Sequence, residues 1–447
     1  AAVELSSTAM TCPASLTMGK ELINQLKLHR VWLEPRSVEQ ATTLLYRYLN
    51  RAAGLYGDGF ASQHDIDTAM RLGCRLPIGP LELLDRIGLE TAHAALAAMH
   101  AQTGDSTLMP VPVFHQLMAA GRAGLKASTG FHSYDADGAV LGAVHDPQIP
   151  AAAAVVRRVG VIGSGTMARG IAEATATAGF PTTLVARSDA KAANAKSLIV
   201  ASLAAKVRRG RMLEAEALSA AGLLNVSGDD TAVRTVDLVI EATAECIDTK
   251  KSVFARLGAI CSPETILATT TSSLSVEACA SASGRPTMVL GLHFFNPTPV
   301  MRLVELVRAP QTGDAVELAA RAVCRRMSKT VVTSPDRGGF IVNYLLMPYL
   351  CSAIDLLARE AVDLEAIDNV VEQGFGYPMG PYTLMDTIGL DVCLAVQKRL
   401  HETFATCEYA PPILLEQLVA AGWVGRKNGT GFRTPRSVAG TCDAGRS

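Results

Sequence analysis

Residues 158–170 read RVGVIGSGTMARG. The apolar run Val159–Ile162 suits a short buried strand, and the residues from Thr166 onward suit a helix. Between them, Gly163, Ser164, Gly165, Thr166, Met167 and Ala168 form G-x-G-x-x-A. In that pattern the first glycine permits a tight turn and the second lets backbone approach a pyrophosphate. The small third residue keeps strand and helix close. The helix start offers unpaired N–H groups and a positive dipole end to an anion. A strand, glycine turn and helix in this order predict a dinucleotide site at Gly163, Ser164, Gly165, Thr166 and Met167.

Working outward, PTTLVAR (181–187), VDLVIEAT (236–243), TILATTTSS (265–273) and TMVLGLHFF (287–295) read as further short strands. Helical stretches such as TKKSVFARLGAIC (249–261) separate them. This alternation predicts an α/β fold, a Rossmann-type doubly wound parallel sheet over 155–337. The end of the second strand bears on cofactor choice. A carboxylate there would bind the 2′-hydroxyl of NAD. Ala186 occupies that place, followed by Arg187 and Ser188. A guanidinium and a hydroxyl suit a 2′-phosphate, so the reading leans to NADP(H) within NAD(P).

On either side of this segment the sequence repeats itself. LPIGPLELLDRIGL (76–89) and YPMGPYTLMDTIGL (377–390) lie 301 positions apart. The same offset carries Leu44, Tyr48, Ile66, Asp67, His100, Gly124, Lys126, Gly130 and Phe131 onto identical residues. Apolar residues at 3.6-residue spacing make each copy helical. The chain therefore divides into an extension (1–36), a helical copy (37–135), a linker (136–154), the dinucleotide domain (155–337), a second helical copy (338–436) and a tail (437–447). The Pro and Gly of the repeat set turns, while Asp67 and Asp85 cap helices.

The remaining composition excludes several classes. With 447 residues, 41 basic and 42 acidic side chains and a net charge of −1, no global field favours nucleic acid or an anionic membrane. No apolar run reaches the ~18 residues of a membrane span. The ten cysteines contain no C-x-x-C unit, and neither metal-ligand spacing nor an export signal is evident. A reducing cytoplasm is the expected compartment.

GSGTMARGIA, EATAE, TTSSL, GLHFFNP, LVELV, GFIVN and YPMGPYTLMDTIGLD, in this order, resemble the L-3-hydroxyacyl-CoA dehydrogenase family over about residues 155–436. The N-terminal copy resembles the family's C-terminal helical domain. The resemblance implies hydride transfer between a nicotinamide and C3 of a 3-hydroxyacyl or 3-oxoacyl thioester of coenzyme A. It implies His293 as the base, Glu305 as its partner, and Ser272 and Asn343 as donors to the substrate oxygen. By the same resemblance Glu245, Lys250, Asn296 and Lys427 serve the cofactor, and Ser202 and Arg209 hold coenzyme A. Thr270 and Cys246 stand where the family has Asn. Thr42 stands 301 positions before Asn343, so the first copy is expected to be structural and catalytically silent. The duplicated copy would supply in cis the helical partner that short family members find in a second subunit, giving a monomeric pseudo-dimer or a low-order homo-oligomer. The competing enzyme reading is dehydrogenation of a non-thioester hydroxy acid of the sugar-acid type.

Overall fold

The computed structural model describes residues 17–18, 33–142, 156–359 and 362–433. Most of the expected extension and linker, and the whole tail, lie outside the described residues. Eight strands form one sheet in the order β3-β2-β1-β4-β5-β6-β7-β8. They are β1 (Val159–Ile162), β2 (Thr182–Val185), β3 (Leu224–Ser227), β4 (Leu238–Glu241), β5 (Ile266–Thr269), β6 (Val289–Phe294), β7 (Leu303–Arg308) and β8 (Thr330–Pro335). The first six run parallel, as the alternating pattern predicts. The expectation of a wholly parallel sheet needs correction at one edge: β7 is antiparallel to β6, and β8 pairs parallel with β7.

The helices are α1 (Pro35–Gly57), α2 (Gln63–Gly73), α3 (Pro80–Ile87), α4 (Leu89–Thr103), α5 (Val113–Ala119), α6 (Thr166–Thr177), α7 (Asp189–Arg208), α8 (Glu214–Gly222), α9 (Ile247–Ile260) and α10 (Val276–Ala282). They continue as α11 (Asp314–Arg326), α12 (Val342–Arg359), α13 (Leu364–Asn369), α14 (Pro381–Ile388), α15 (Leu390–Phe404) and α16 (Ile413–Ala420). No described helix is long and apolar enough to cross a membrane.

Helices cover both faces of the sheet, which is why its central strands read as unbroken apolar runs. On one face Val161, Ile240, Leu290 and Leu306 pack with Ile171 of α6, Ile199 of α7 and Val323 of α11. On the other, Ile162, Val239, Val289 and Val307 pack with Phe254 of α9 and Val276 of α10. Burying a side chain the size of Phe254 contributes roughly 1.5–3 kcal/mol.

The chain divides into two compact units, one of residues 49–346 with 396–409, the other of 1–48, 347–395 and 410–447. The sheet and most of the first repeat belong to the former. The repeat motif builds the same lock twice. Asp67 accepts from the amides of Leu81 (2.8 Å) and Glu82 (2.9 Å) at the start of α3. Asp368 accepts from Tyr382 and Thr383, each at 3.1 Å, at the start of α14. A Cβ on Gly79 or Gly380 would overlap these carboxylates, which fixes glycine in each P-x-G-P. Asp67 thus caps a helix as expected. Asp85 does not; it accepts from the amides of Phe131 and His132, both at 2.8 Å, and from the Tyr134 hydroxyl. Its counterpart Asp386 accepts from Phe432 (2.9 Å) and Arg433 (2.7 Å).

Candidate active site

The glycine turn lies where β1 gives way to α6, between the carboxyl ends of β1 and β4. The strand order reverses there, and α/β sheets bind ligands at such a crevice. Gly163 has φ +128°, and a Cβ on it would sit 2.5 Å from the Ala242 carbonyl. Gly165 is the exposed N-cap of α6 and makes no side-chain cap bond. A Cβ there would meet nothing within 4 Å, so space remains above the helix start for a pyrophosphate. Ser164 and Met167 are half-buried, Thr166 is exposed, and Ala168 is fully buried against the strand. The chain thus fits a dinucleotide. At the end of β2, Ala186 is buried and Arg187 exposed. The Ser188 hydroxyl caps α7, accepting from the Lys191 amide at 3.4 Å.

His293 stands on β6 directly opposite Glu305 on the antiparallel β7. Cross-strand neighbours project from the same face, so the two side chains meet. His293 Nδ1 lies 2.5 Å from Glu305 Oε2, and Nε2 lies 3.1 Å from Ser272 Oγ. Glu305 is wholly buried, and its other oxygen accepts from the amides of Ile341 (3.0 Å) and Val342 (2.9 Å) at the start of α12. That helix start carries Asn343, whose amide nitrogen is 3.5 Å from the Ser272 carbonyl. Phe295 and Phe340 flank the imidazole, with ring centroids 4.6 and 5.5 Å away. The four residues expected to act together therefore do gather at one place.

The expected cofactor residues separate into two kinds. Asn296 is exposed in the loop after β6. Glu245 is also exposed, and its carboxylate accepts from the Thr271 hydroxyl (2.5 Å) and the Ser272 amide (2.8 Å), which orients the serine. Lys250 is wholly buried: its ammonium holds Glu241 at 3.0 and 3.1 Å and lies 3.5 Å from Glu245. It acts through those carboxylates. Glu241, which the sequence reading missed, also accepts from Thr243 and Thr269, so it ties the ends of β4 and β5 together. The signal for it was an acid ending an apolar strand nine residues before a lysine, since a buried charge requires a partner. Cys246 is exposed at the start of α9, where the amide of Thr249, then its hydroxyl, pull its thiol below the usual range.

Ser202 is half-buried on α7, and Arg209 is exposed at that helix's C-cap. Lys206 between them pairs with Glu173 at 2.6 Å. It also lies within electrostatic reach of Lys329, whose ammonium binds the carbonyls of Thr298 (2.5 Å) and Met301 (2.7 Å). That brings the basic end of α7 beside the loop following Asn296. Lys427 belongs to the other compact unit, where it pairs with Asp391 at 2.8 Å. A cavity of about 640 Å³ opens at the amino ends of β1, β4 and β5, lined by Arg158, Arg234, Asp237 and Glu264 among others, away from this chemistry.

Comparison with known proteins places the sequence and fold in one family. Residues 158–337 match the family model of the 3-hydroxyacyl-CoA dehydrogenase NAD-binding domain, and residues 41–134 and 339–434 each match that of its C-terminal domain. The chain is 40% identical over 281 residues to a 3-hydroxybutyryl-CoA dehydrogenase of Mycobacterium tuberculosis, covering 62% of this chain and 98% of that protein. It is 37% identical over 285 residues to human mitochondrial hydroxyacyl-coenzyme A dehydrogenase, covering 62% and 91%. The crystal structure of M. tuberculosis FadB2 superposes with a TM-score of 0.61 at 41% identity, covering 63% of this chain and 99% of that one.

Proposed function

This chain belongs to the 3-hydroxyacyl-CoA dehydrogenase family, and on that footing we propose that it transfers a hydride between C3 of a 3-hydroxyacyl thioester of coenzyme A and a nicotinamide dinucleotide. One observation carries the reading: an imidazole held between a buried carboxylate and a serine hydroxyl, in the same domain as a glycine turn built for a dinucleotide. Glu305 accepts a hydrogen bond from Nδ1–H, which fixes the tautomer with Nε2 free to act as base and stabilises the imidazolium once it forms. Nε2 then takes the C3 hydroxyl proton during oxidation and returns it during reduction. The Ser272 hydroxyl and the Asn343 amide donate to the substrate oxygen as it gains alkoxide character. The bound nicotinamide supplies the hydride acceptor or donor. Glu245 and Lys250 keep the Ser272 loop in place, and Asn296 meets the nicotinamide half.

The absence of a carboxylate after β2 and the exposed Arg187 favour NADP(H), and with it reduction of a 3-oxoacyl thioester as the working direction. NAD would favour oxidation in acid degradation. Ser202 and Arg209, with the basic end of α7, are assigned to coenzyme A, whose phosphates suit a cationic helix end. Lys427 is assigned to the cofactor set by its place in the family's pattern alone. Unpaired cysteines among the described residues fit a reducing cytoplasm. Residues 37–135 and 338–436 are assigned as two copies of one helical module, so sedimentation should find a monomer or a low-order homo-oligomer.

Acetoacetyl-CoA tests the reading, with NADPH and NADH compared in wild type, Arg187→Ala and His293→Gln. Replacing the base should lower the rate by on the order of 10²–10⁴. Unchanged turnover in His293→Gln defeats the mechanism. Equal or better rates with NADH, unaffected by Arg187→Ala, defeat the cofactor choice alone. A sugar-acid substrate outpacing acetoacetyl-CoA would favour the competing enzyme class.

A further inference from the structure

The helix α2 comes from the amino-terminal repeat, yet it packs against β7, which bears Glu305, and β8 within the same compact unit. Asp65 near its start accepts from the Thr333 amide of β8 at 3.4 Å. At its other end, a Cβ on Gly73 would lie 3.0 Å from a methyl of Leu303 and 3.0 Å from a methyl of Val342. Arg75 reaches the Met301 sulfur at 3.9 Å. Leu303 and Glu305 are alternate residues of β7 and so project from one face. Val342 gives Glu305 one of its amide bonds. The end of α2 therefore covers the face from which Glu305 reaches His293.

Further contacts hold this repeat to the helix that bears Asn343. The Arg337 guanidinium stacks on Phe60 at 3.7 Å and on Tyr344 at 4.5 Å. Arg51 of α1 donates to the Tyr409 hydroxyl at 2.8 Å, pairs with Glu408 and lies over the Tyr344 ring. The residues equivalent to Gly73 and Cys74 in the second copy, Gly374 and Phe375, belong to the other unit, where a Cβ on Gly374 would face Leu33 and Val370.

We infer that the amino-terminal repeat is a working part of the catalytic centre: the end of α2, through Gly73 and Cys74, seals the sheet face at Glu305 and sets the basicity of His293. This rests on the function proposed above. Gly73 lets backbone approach the strand where any side chain would hold it off. Cys74 is a small, half-buried side chain next to Gly73, whose thiol is pushed up to about 12, first by burial and then by the nearby charge of Glu305. A thiol with that pKa stays uncharged near neutrality and leaves the carboxylate's field directed at the imidazole. The ionisable side chains that these contacts bring to this region are Glu305 from β7, Cys74 and Arg75 from the end of α2, and Asp65 from its start. Cys74 is thus a positioning residue.

Charge substitutions at Cys74 test this in the full chain. Cys74→Asp places a second negative charge near the dyad and should raise the acid limb of kcat/KM for oxidation by about half a unit to one unit. Cys74→Lys should move it the other way, and Cys74→Ser should leave it unmoved. The imidazole signal of His293 in histidine-labelled protein, assigned by its loss in His293→Gln, should titrate with the same shifts. That reading does not depend on turnover, so it stands apart from the function proposal: a wild type inert toward every hydroxyacyl thioester defeats the function, whereas unmoved titrations in folded charge variants defeat this inference. Should both charge variants fail to fold, Gly73→Ala decides. An added methyl there should lower kcat severalfold while NADPH affinity holds, and an unchanged kcat overturns the inference.

Discussion

Exchanging Glu305 for Gln probes the dyad with almost no change of shape. Glu305 is fully buried and accepts three hydrogen bonds, from His293 Nδ1 (2.5 Å) and from the amides of Ile341 (3.0 Å) and Val342 (2.9 Å). A glutamine oxygen can still satisfy the two amides, so the backbone at the start of α12 keeps its partners. Its NH₂ then faces His293, which must present Nδ1 as an acceptor and carry its proton on Nε2. That tautomer cannot take the hydroxyl proton, and the imidazolium loses its counter-charge. Loss of tautomer control and charge together should cost on the order of 10³–10⁴ in rate, about 4–5.5 kcal/mol of transition-state stabilisation. Steady-state absorbance of the reduced cofactor with 3-hydroxybutyryl-CoA, read across pH 5–9, measures this as kcat/KM. Thermal unfolding should change little, because no amide is orphaned. Glu305→Ala leaves two buried N–H groups unpaired and should lower stability by about 1–3 kcal/mol for each. A Glu305→Gln enzyme within tenfold of wild type, with its acid limb in place, would refute the role of the carboxylate.

Lys250→Met should destabilise the protein by about 3–5 kcal/mol in urea unfolding, because it strands the wholly buried Glu241. Adding Glu241→Gln should recover part of that loss, and a cost under about 1 kcal/mol would remove the ion pair from the stability argument. Gly163→Ala, at φ +128° and against the Ala242 carbonyl, should weaken NADPH binding at least a hundredfold by fluorescence titration, about 2.7 kcal/mol. Lys329 bears on alkaline stability, since burial lowers its ammonium to about 8. The unfolded chain holds that proton to about 10.5, so between the two values the unfolded state binds more protons and stability rises with pH. Lys329→Met should flatten that part of the Tm-against-pH curve, and an equal slope in both proteins would show that the ammonium is not its source.

What the sequence disclosed follows from which interactions are local. The glycine turn is a contiguous segment whose conformation its own residues impose, and the central strands are contiguous apolar runs. Both were legible. The β3 strand LNVS has one buried position, Leu224, and β7 is broken by the charge of Glu305, so neither shows a clear run. The twelve positions between His293 and Glu305 do not by themselves bring the two together; the antiparallel register of β6 and β7 does, and that edge was read as parallel. Only the family resemblance assigns Lys250 to the cofactor. Its burial against Glu241 depends on packing among α9, β4 and β5. The placement of Gly73 against Leu303 was invisible for the same reason, since more than two hundred residues separate the partners.

The repeat shows the same distinction between what keeps a module folded and what gives it work. Burial pushes the carboxyls of Asp85 and Asp368 upward, and the N–H and O–H groups they accept from pull them back. Such a group is tolerated only with its donors in place, and each lock closes only if the facing residue is glycine. Aspartate, glycine and the donating turn must therefore change together or not at all, which is why they recur at one fixed offset. Positions outside the locks are released from that constraint. There Thr42 faces Asn343 across the offset, and Cys74 faces Phe375. Within the locks, His132 and Arg433 each give a backbone amide, but the His132 Nε2 also reaches the Asp67 carboxylate at 2.8 Å, whereas the Arg433 guanidinium lies 4.0 Å from Glu365. Identical locks with different residues between them let one scaffold carry two tasks, and the role inferred for the first copy uses Cys74, where the copies differ, beside Gly73, where they agree.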